Sequence, residues 1–183
     1  GLATSCNDFG DVNNDPMNLN PGVVDYKMEF TQVEAQICGS DWDVWRNGCI
    51  YTANMIQHTA SVDWAYGVFY TWNDQYSGAY WGGFYSGGRA AIRNIIDVMN
   101  NWEGNPAYAN EYQMCRILKA YMFQNMTDLY GDVPYSEAGQ GYSTNPIPYP
   151  KYDTQEEIYM NIMETLKNAA AELSEYQFQT DAQ

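Results

Sequence analysis

The sequence predicts an all-α protein, and three patterns in the chain support this prediction. Apolar residues recur every three or four positions in several long stretches, a spacing that places them on one face of a helix. No stretch alternates apolar and polar residues over the length of a strand. Near the end of the chain, Thr154 and Glu157 form a capping box, which satisfies two free N–H groups at a helix start.

The first helix is predicted where apolar residues follow helical spacing at Tyr26, Phe30, Val33 and Ile37. Gly39 is placed to end this helix, since glycine readily adopts the left-handed backbone found beyond many helix ends. We expect residues 40–48 to form a connection. Residues 50–64 have looser helical spacing, through Ala53, Ile56 and Ala60.

An unusual aromatic segment follows at residues 64–85, which read WAYGVFYTWNDQYSGAYWGGFY. It holds ten of the 29 aromatic side chains of the chain and a single charged one, Asp74. Its four glycines favour partly irregular backbone. Aromatic rings stack on the apolar faces of sugars, and amides bind hydroxyls, so the segment is typical of a sugar- or peptide-binding face. The alternative is that the segment forms an aromatic-rich corner of the core. This interpretation explains any single ring equally well but explains all ten rings together poorly.

Three further helices are predicted after this segment. The first begins near Gly88 and places on one side Ala91, Ile92, Ile95, Ile96 and Met99. The strongest pattern covers residues 109–129, with one apolar stripe of Met114, Ile117, Leu118, Tyr121 and Met122 and a second apolar side of Cys115, Phe123 and Met126. A helix that is apolar on two sides is expected to pack between neighbours. The last helix follows Thr154, and its predicted buried face holds Ile158, Ile162, Leu166, Ala169, Ala170 and Leu173.

Charge and hydropathy exclude several classes of protein. The 183 residues fit one domain, and the net charge of -15 disfavours binding to nucleic acid or to anionic lipid. No apolar run reaches the roughly 18 residues that a membrane-spanning helix needs. With one histidine and no paired cysteine motif, a structural zinc site is not expected. Residues 11–15 mimic half of a calcium loop, but Pro16 and Gly22 break the pattern, so we predict neither a metal nor a cofactor.

The cysteines leave two questions open. Cys38 and Cys49 are close enough in sequence to form a disulfide. Cys6 follows a short apolar and small-residue run, which is similar to the end of a bacterial lipoprotein signal peptide. Cys6 is therefore a candidate for the acylated N-terminus of a mature lipoprotein, against the alternative of an ordinary cysteine near a terminus.

Two motifs resemble one family in combination. Residues 119–138 read KAYMFQNMTDLYGDVPYSEA, and residues 150–170 read PKYDTQEEIYMNIMETLKNAA. Together they are similar to the SusD/RagB family of surface-exposed nutrient-binding lipoproteins of the outer membrane of Gram-negative bacteria. The opening after Cys6 and the stretch from Trp81 to Ile96 agree with this resemblance.

The resemblance implies a fold of tetratricopeptide-like helix pairs with long irregular loops. Residues 1–22 are then a signal remnant and tether, and residues 23–183 a SusD-like helical domain. Because members of the family are usually more than twice as long, we expect this domain to lack a C-terminal part. Helix pairs bury their faces only by stacking, so we expect apolar surface to stay exposed and the chain not to fold autonomously.

The resemblance also implies a function. Members of the family capture oligosaccharides, or in some branches peptides, and deliver them to a TonB-dependent outer-membrane transporter beneath them. The corresponding ligand positions fall within the aromatic segment, at Tyr66, Tyr70, Trp72, Asn73, Tyr76 and Trp81. Trp72 and Tyr76 are the predicted stacking residues, and Asn73 is the predicted hydrogen-bonding residue. A mainly structural platform that docks on the transporter is the competing interpretation, and the sequence does not identify the ligand.

An enzyme is not predicted. His58 is the sole histidine, so any nucleophile and base pair depends on it, and its position near Ile56 and Ala60 favours a partly buried structural role. A glycosidase needs two carboxylates that lie close together across a cleft. Asp128, Asp132 and Glu137 are close in sequence and are therefore the candidates for such a pair. They lie in a motif that marks a helix end and turn, which favours structural roles.

Overall fold

The helices of the protein confirm the all-α prediction. The computed structural model describes residues 25–86, 91–141 and 145–173, and these contain one isolated β-bridge, between Val133 and Asp153, and no strand. In chain order the helices are α1 (Tyr26–Gln36), a composite α2, α3 (Asp74–Ser77), α4 (Ala79–Tyr85), α5 (Ala91–Trp102), α6 (Ala109–Tyr130) and α7 (Gln155–Glu172). A 3₁₀ turn at Pro106–Tyr108 precedes α6. Helix α2 runs as an α-helix at Asp41–Asp43, a π-helix at Val44–Thr52 and an α-helix at Ala53–Met55.

The core lies between α1, α5, α6 and α7. At one end of α5, the Trp102 ring lies 5.7 Å from Phe30 on α1 and stacks 5.0 Å from Tyr108 at the start of α6. Helices α6 and α7 are antiparallel, because Gln113 contacts Glu172 at one end and Thr127 contacts Gln155 at the other. The fully buried side chains that join these helices are Val33, Ile92, Ile95, Val98, Met122, Phe123, Met126 and Ile158.

The two apolar sides predicted for α6 differ in burial. Cys115, Phe123 and Met126, the predicted second side, are buried. Of the predicted main stripe, Met122 is buried, but Met114 and Tyr121 are exposed. Helix α6 therefore packs against α5 and α7 mainly through the predicted second apolar side.

The buried face of α7 is narrower than predicted. Ile158, Ile162 and Ala169 are buried against α6, whereas Leu166, Ala170 and Leu173 are exposed, so their predicted burial is wrong. Met160 and Met163 are also exposed, at 61% and 55%. An apolar surface is thus open along α7, and the expectation that this domain does not fold autonomously stays a prediction.

The chain between α1 and the aromatic segment is more helical than the sequence indicated. The predicted stop at Gly39 is confirmed, with φ at +75°. The predicted connection at residues 40–48 is wrong, because Ser40 and Asp43 form a capping box that starts α2. The predicted helical character of residues 50–64 ends at Met55. His58 lies beyond that end and is exposed, so its predicted partial burial is wrong.

Several predictions concern residues outside the described part of the chain. These are the tether at residues 1–22 with Cys6, the calcium-loop mimic at residues 11–15, and the start of α5 near Gly88. Within the described part, Cys38 and Cys49 are free thiols rather than a disulfide. No helix among those residues combines the length and apolarity needed to cross a membrane.

The predicted capping box at α7 is confirmed and gives a first testable prediction. Thr154 accepts a hydrogen bond from Glu157 N, and Glu157 in turn accepts one from Thr154 N at 3.0 Å. We expect Thr154→Ala to lower the free energy of unfolding by about 1 kcal/mol, since a helix N–H loses its acceptor. Urea unfolding of the full-length protein measures this loss. Thr154→Ser keeps the hydroxyl and should retain most of the stability; an equal loss in both variants would contradict the capping role.

Candidate binding groove

Helix α2 presents two tryptophans and an arginine on its surface. Trp42 and Trp45 are three positions apart and therefore share a face of the helix, with their rings 5.5 Å apart and nearly perpendicular. The Arg46 guanidinium lies over the Trp42 ring, with its central carbon 5.5 Å from the ring centre. Trp42 is 63% exposed, so this face is open to solvent.

The aromatic segment supplies a third tryptophan from strained backbone. Trp64 has a φ of +51°, a left-handed conformation that bulky residues rarely adopt and that clusters at functional sites. This conformation places its ring 5.2 Å from Trp45, edge to face. Trp64 is 51% exposed, so it extends the surface begun by α2.

The short helix α3 supplies a tyrosine to the same surface. Asn73 starts α3, because its side chain accepts a hydrogen bond from Gln75 N at 3.1 Å. Tyr76 then places its ring 6.0 Å from Trp45. The Tyr66 ring in turn packs against Tyr76, with the two ring centres 5.5 Å apart.

These elements enclose an open groove of about 590 Å³, which we call the aromatic groove. Its lining consists of Asp41, Trp42, Trp45, Arg46, Trp64, Gln75 and Tyr76. Four rings offer flat apolar faces, while a carboxylate, a guanidinium and an amide offer hydrogen-bond acceptors and donors. This combination suits a ligand with alternating apolar faces and polar edges.

A close backbone approach holds the aromatic segment against α2. Gly67 N donates to the carbonyl oxygen of Ile50 at 3.2 Å, and Tyr51 on α2 donates its hydroxyl to the Asn73 carbonyl oxygen at 3.3 Å. Burial raises the pKa of the Tyr51 hydroxyl above its usual value. The buried Asn54 side chain donates hydrogen bonds to the Cys49 and Ile50 carbonyl oxygens at 2.9 and 3.0 Å. These carbonyl groups, near the end of the π-helix, therefore have hydrogen-bond donors.

A second attachment joins α2 to the helices that follow the groove. Asn47 is buried between groups that its amide satisfies in one orientation, with Nδ2 donating to the Ser77 carbonyl oxygen at 3.1 Å and Oδ1 accepting from Tyr80 N at 3.2 Å. The Ser77 carbonyl oxygen also accepts from the Tyr130 hydroxyl at 2.7 Å. The groove is therefore tied through α3 to the end of α6 in the core.

The structure brings some of the sequence-predicted ligand residues to the groove. Tyr76 lines it, and Tyr66 supports Tyr76 without lining it. Trp72 is 72% exposed and its indole N–H contacts Asp74 rather than the groove. Tyr70 is exposed and donates its hydroxyl to the Met55 carbonyl oxygen at 3.0 Å. Their roles in ligand binding stay predictions.

Two of the predicted ligand residues have structural partners. The side chain of Asn73 accepts the hydrogen bond that starts α3. Trp81 lies on α4 in a separate aromatic cluster, 4.7 Å from Tyr85, 5.4 Å from Tyr130 and 6.1 Å from Tyr152. Trp81 does not line the aromatic groove.

The sequence pattern did not predict Trp42, Trp45 and Arg46 as site residues, because residues 40–48 were interpreted as a connection. A signal was present: Ser40 and Asp43 have the spacing of a helix start, and the two tryptophans follow at helical spacing. Trp64 belonged to the aromatic segment but was not singled out.

The carboxylates of the family motif have structural partners. Asp132 accepts from Gln155 N at 2.9 Å at the start of α7, and Glu137 accepts from Lys151 N at 2.9 Å. Asp128 accepts from the Tyr159 hydroxyl. Among the described residues, no group of three or more histidine, cysteine, aspartate or glutamate side chains is arranged to hold a metal ion.

The fold and the groove define an all-α protein of helix pairs with an aromatic surface groove. The chain belongs to the SusD-like family, because the family model described as "Starch-binding associating with outer membrane" matches residues 23–182. This finding confirms the resemblance read from the two motifs. Members of this family are binding proteins associated with the outer membrane.

Two solved structures are similar to the chain. One is a chitin-binding protein, with 30% identity and a TM-score of 0.68 over 81% of this chain. The other is described as Bacteroidetes AC2a SusD-like, with 29% identity and a TM-score of 0.66 over 83% of this chain. The chain spans 31% and 27% of the length of these two structures. A comparison with curated proteins found no significant match.

Proposed function

We propose that this chain binds an oligosaccharide in the aromatic groove, as part of a surface lipoprotein that delivers the glycan to a TonB-dependent outer-membrane transporter. The observation that carries the proposal is the convergence of Trp42, Trp45, Trp64 and Tyr76 on one open groove. The chitin-binding relative supports a glycan rather than a peptide as the ligand. The proposed role is binding and delivery, without catalysis.

The arrangement of the rings supports stacking on sugars. Trp45 lies within 6.0 Å of three other rings, so its position is fixed by its neighbours before a ligand arrives. A rigid ring loses little conformational entropy on binding, which favours affinity. The polar side chains of Asp41, Arg46 and Gln75 line the same groove and are available to bind hydroxyls.

Replacing Trp45 tests the groove directly. We expect Trp45→Ala to weaken oligosaccharide binding at least about tenfold, since truncating a central aromatic anchor commonly costs ~2 kcal/mol or more. Isothermal titration calorimetry of the full-length protein with chito- and malto-oligosaccharides measures this effect. Phe69→Ala is the matched control, because Phe69 is 71% exposed on the same segment and does not line the groove.

The titration also separates the alternatives. Trp72→Ala tests the sequence-predicted stacking residue, and an effect larger than that of Trp45→Ala would move the site to the exposed end of the segment. Peptides of mixed composition form a parallel set of ligands; binding of peptides but not of sugars would favour the peptide-binding alternative. Unchanged sugar binding in Trp45→Ala would refute the groove as the site.

Anchoring at the membrane rests on Cys6, which lies outside the described residues. We expect Cys6→Ser to move the protein from the membrane fraction to the soluble fraction of its native host, because an acyl chain on this residue would be lost. Labelling with a fatty acid measures the modification itself. A Cys6→Ser protein that still sediments with membranes in a strain without the transporter would contradict a lipid anchor at this residue.

A further inference from the structure

We propose that Arg46 makes the aromatic groove selective for sugars that carry a carboxylate, such as uronic acids. This inference rests on the glycan binding proposed above and adds the chemical class of the ligand. It starts from the one cationic side chain that lines the groove, because the other charged residue there is Asp41.

Arg46 has donors that the protein leaves unused. Its Nε is buried and has no hydrogen-bond partner. Among the described residues, Arg116 pairs with Glu172 at 3.7 Å and Lys151 with Asp153 at 3.2 Å, whereas no carboxylate lies within ion-pair distance of Arg46.

The chemistry of a guanidinium favours a carboxylate as the missing partner. The Nε is enclosed by protein, so a ligand in the groove would meet the terminal N–H groups of Arg46, a residue that lines the groove. Guanidinium and carboxylate match as two parallel hydrogen bonds, and such charge-assisted bonds are roughly twice as strong as neutral ones. The Trp42 ring beneath the guanidinium restricts its orientation, so the fork is partly positioned before the ligand binds.

Two negative contributions oppose an anionic ligand. Asp41 lines the same groove, and the chain carries a net charge of -15. The distributed charge is largely screened at physiological ionic strength, where the Debye length is about 8 Å. Asp41 lines the groove itself, so salt screens its repulsion of an anionic ligand much less than it screens the distributed charge. Replacing Asp41 by asparagine should therefore strengthen the binding of an acidic sugar.

A pair of ligands that differ only at the carboxyl group tests the inference. Calorimetry of the full-length protein at about 0.15 M salt would compare uronic-acid trisaccharides, of the galacturonate and glucuronate types, with their methyl esters. We expect at least about tenfold tighter binding of an acid than of its ester. Arg46→Gln should remove this preference, so that the acid and its ester then bind with similar affinity. Arg46→Lys keeps the charge without the fork and should keep part of the preference, and Asp41→Asn should enlarge it.

The outcomes separate this inference from the proposed function. Equal binding of acid and ester, or an equal loss of both in Arg46→Gln, would overturn the inference, because Arg46 would then bind hydroxyls. Binding of neutral chito-oligosaccharides without any binding of uronates would overturn it too, while the proposed function would stand. Failure of all these sugars to bind would refute the proposed function itself. Circular dichroism of each variant confirms that the helices are intact.

Discussion

Replacing Gly67 by alanine is expected to lower the free energy of unfolding by about 2–3 kcal/mol and to weaken ligand binding at the aromatic groove. A Cβ atom at this position would lie 2.5 Å from the Ile50 carbonyl oxygen and 2.7 Å from the Tyr51 carbonyl oxygen. Both are backbone atoms of the π-helical part of α2. Neither atom can move aside as a side chain can, so the aromatic segment must move away from α2.

The displacement would change the aromatic groove, because the rings that line the groove lie on both sides of the contact between Gly67 and α2. Trp64 and Tyr66 lie within three residues of Gly67, whereas Trp45 lies on α2. The ring contact of 5.2 Å between Trp45 and Trp64 therefore depends on how closely the two backbones approach. We expect at least about tenfold weaker sugar binding, since small misplacements of binding groups are costly.

Gly82→Ala is the matched control for this prediction. Gly82 lies in α4 of the same segment, and apart from its chain neighbours and the backbone of its own helix no heavy atom lies within 4 Å of a Cβ added there. Because alanine favours helix over glycine, this variant should be as stable as the parent or more stable by up to about 1 kcal/mol. Urea unfolding and calorimetry measure both variants. Equal stability and affinity in Gly67→Ala would show that the contact between the segment and α2 is not required.

The long helices were predictable because local signals and tertiary packing agree there. For α6, the stretch predicted at residues 109–129 is observed at Ala109–Tyr130. For α7, Thr154 and Glu157 form the predicted capping box. Burial was less predictable: Leu166 has the same spacing as Ile162, yet only Ile162 is covered by a neighbour. Periodicity identifies an apolar face, but the position of the next helix decides which part of it is buried.

The groove was only half predictable, for two physical reasons. The aromatic composition of residues 64–85 indicated a binding face and included Trp64 and Tyr76. The other half lies on α2, whose start at Ser40 and Asp43 was interpreted as part of a connection; beyond that start, the π-helix at Val44–Thr52 departs from the 3.6-residue spacing that sequence patterns use. Composition also does not show which way a side chain faces: Trp81 belongs to the same segment but packs against Tyr130 at the edge of the core.

Replacing Asp153 by alanine is expected to lower the free energy of unfolding by about 3 kcal/mol or more. The side chain of Asp153 is only 7% exposed. It accepts hydrogen bonds from Ser136 N at 2.7 Å, from the Ser136 hydroxyl at 2.9 Å and from Tyr135 N at 3.1 Å. Lys151 adds an ion pair at 3.2 Å. Alanine would leave two backbone N–H groups without acceptors in the loop that joins α6 to α7.

Variants of the neighbouring residues separate these contributions. Lys151→Met should have a small effect, because the lysine side chain is 62% exposed and exposed ion pairs contribute little. Ser136→Ala should have an intermediate effect, since it removes the hydroxyl but keeps the backbone N–H. Urea unfolding of the full-length protein measures all three. A loss in Lys151→Met as large as that in Asp153→Ala would show that the ion pair, not the backbone hydrogen bonds, stabilises the loop.

The contribution of Asp153 should also depend on pH in one direction. Burial alone would raise the pKa of this carboxyl, but the hydrogen bonds from Ser136, Lys151 and Tyr135 outweigh burial and lower the pKa below its usual value of 3.8. Its stabilising effect is therefore fully present above the unfolded pKa and is lost as the pH falls through the folded pKa. Asp153→Asn cannot titrate, so the stability difference between it and the parent should be constant near neutral pH and shrink below about pH 4. Because the parent and Asp153→Asn share every other titrating group, their difference isolates the titration of Asp153. A difference that stays constant down to about pH 2, with the fold intact, would refute the charged carboxylate as the origin of the stabilisation.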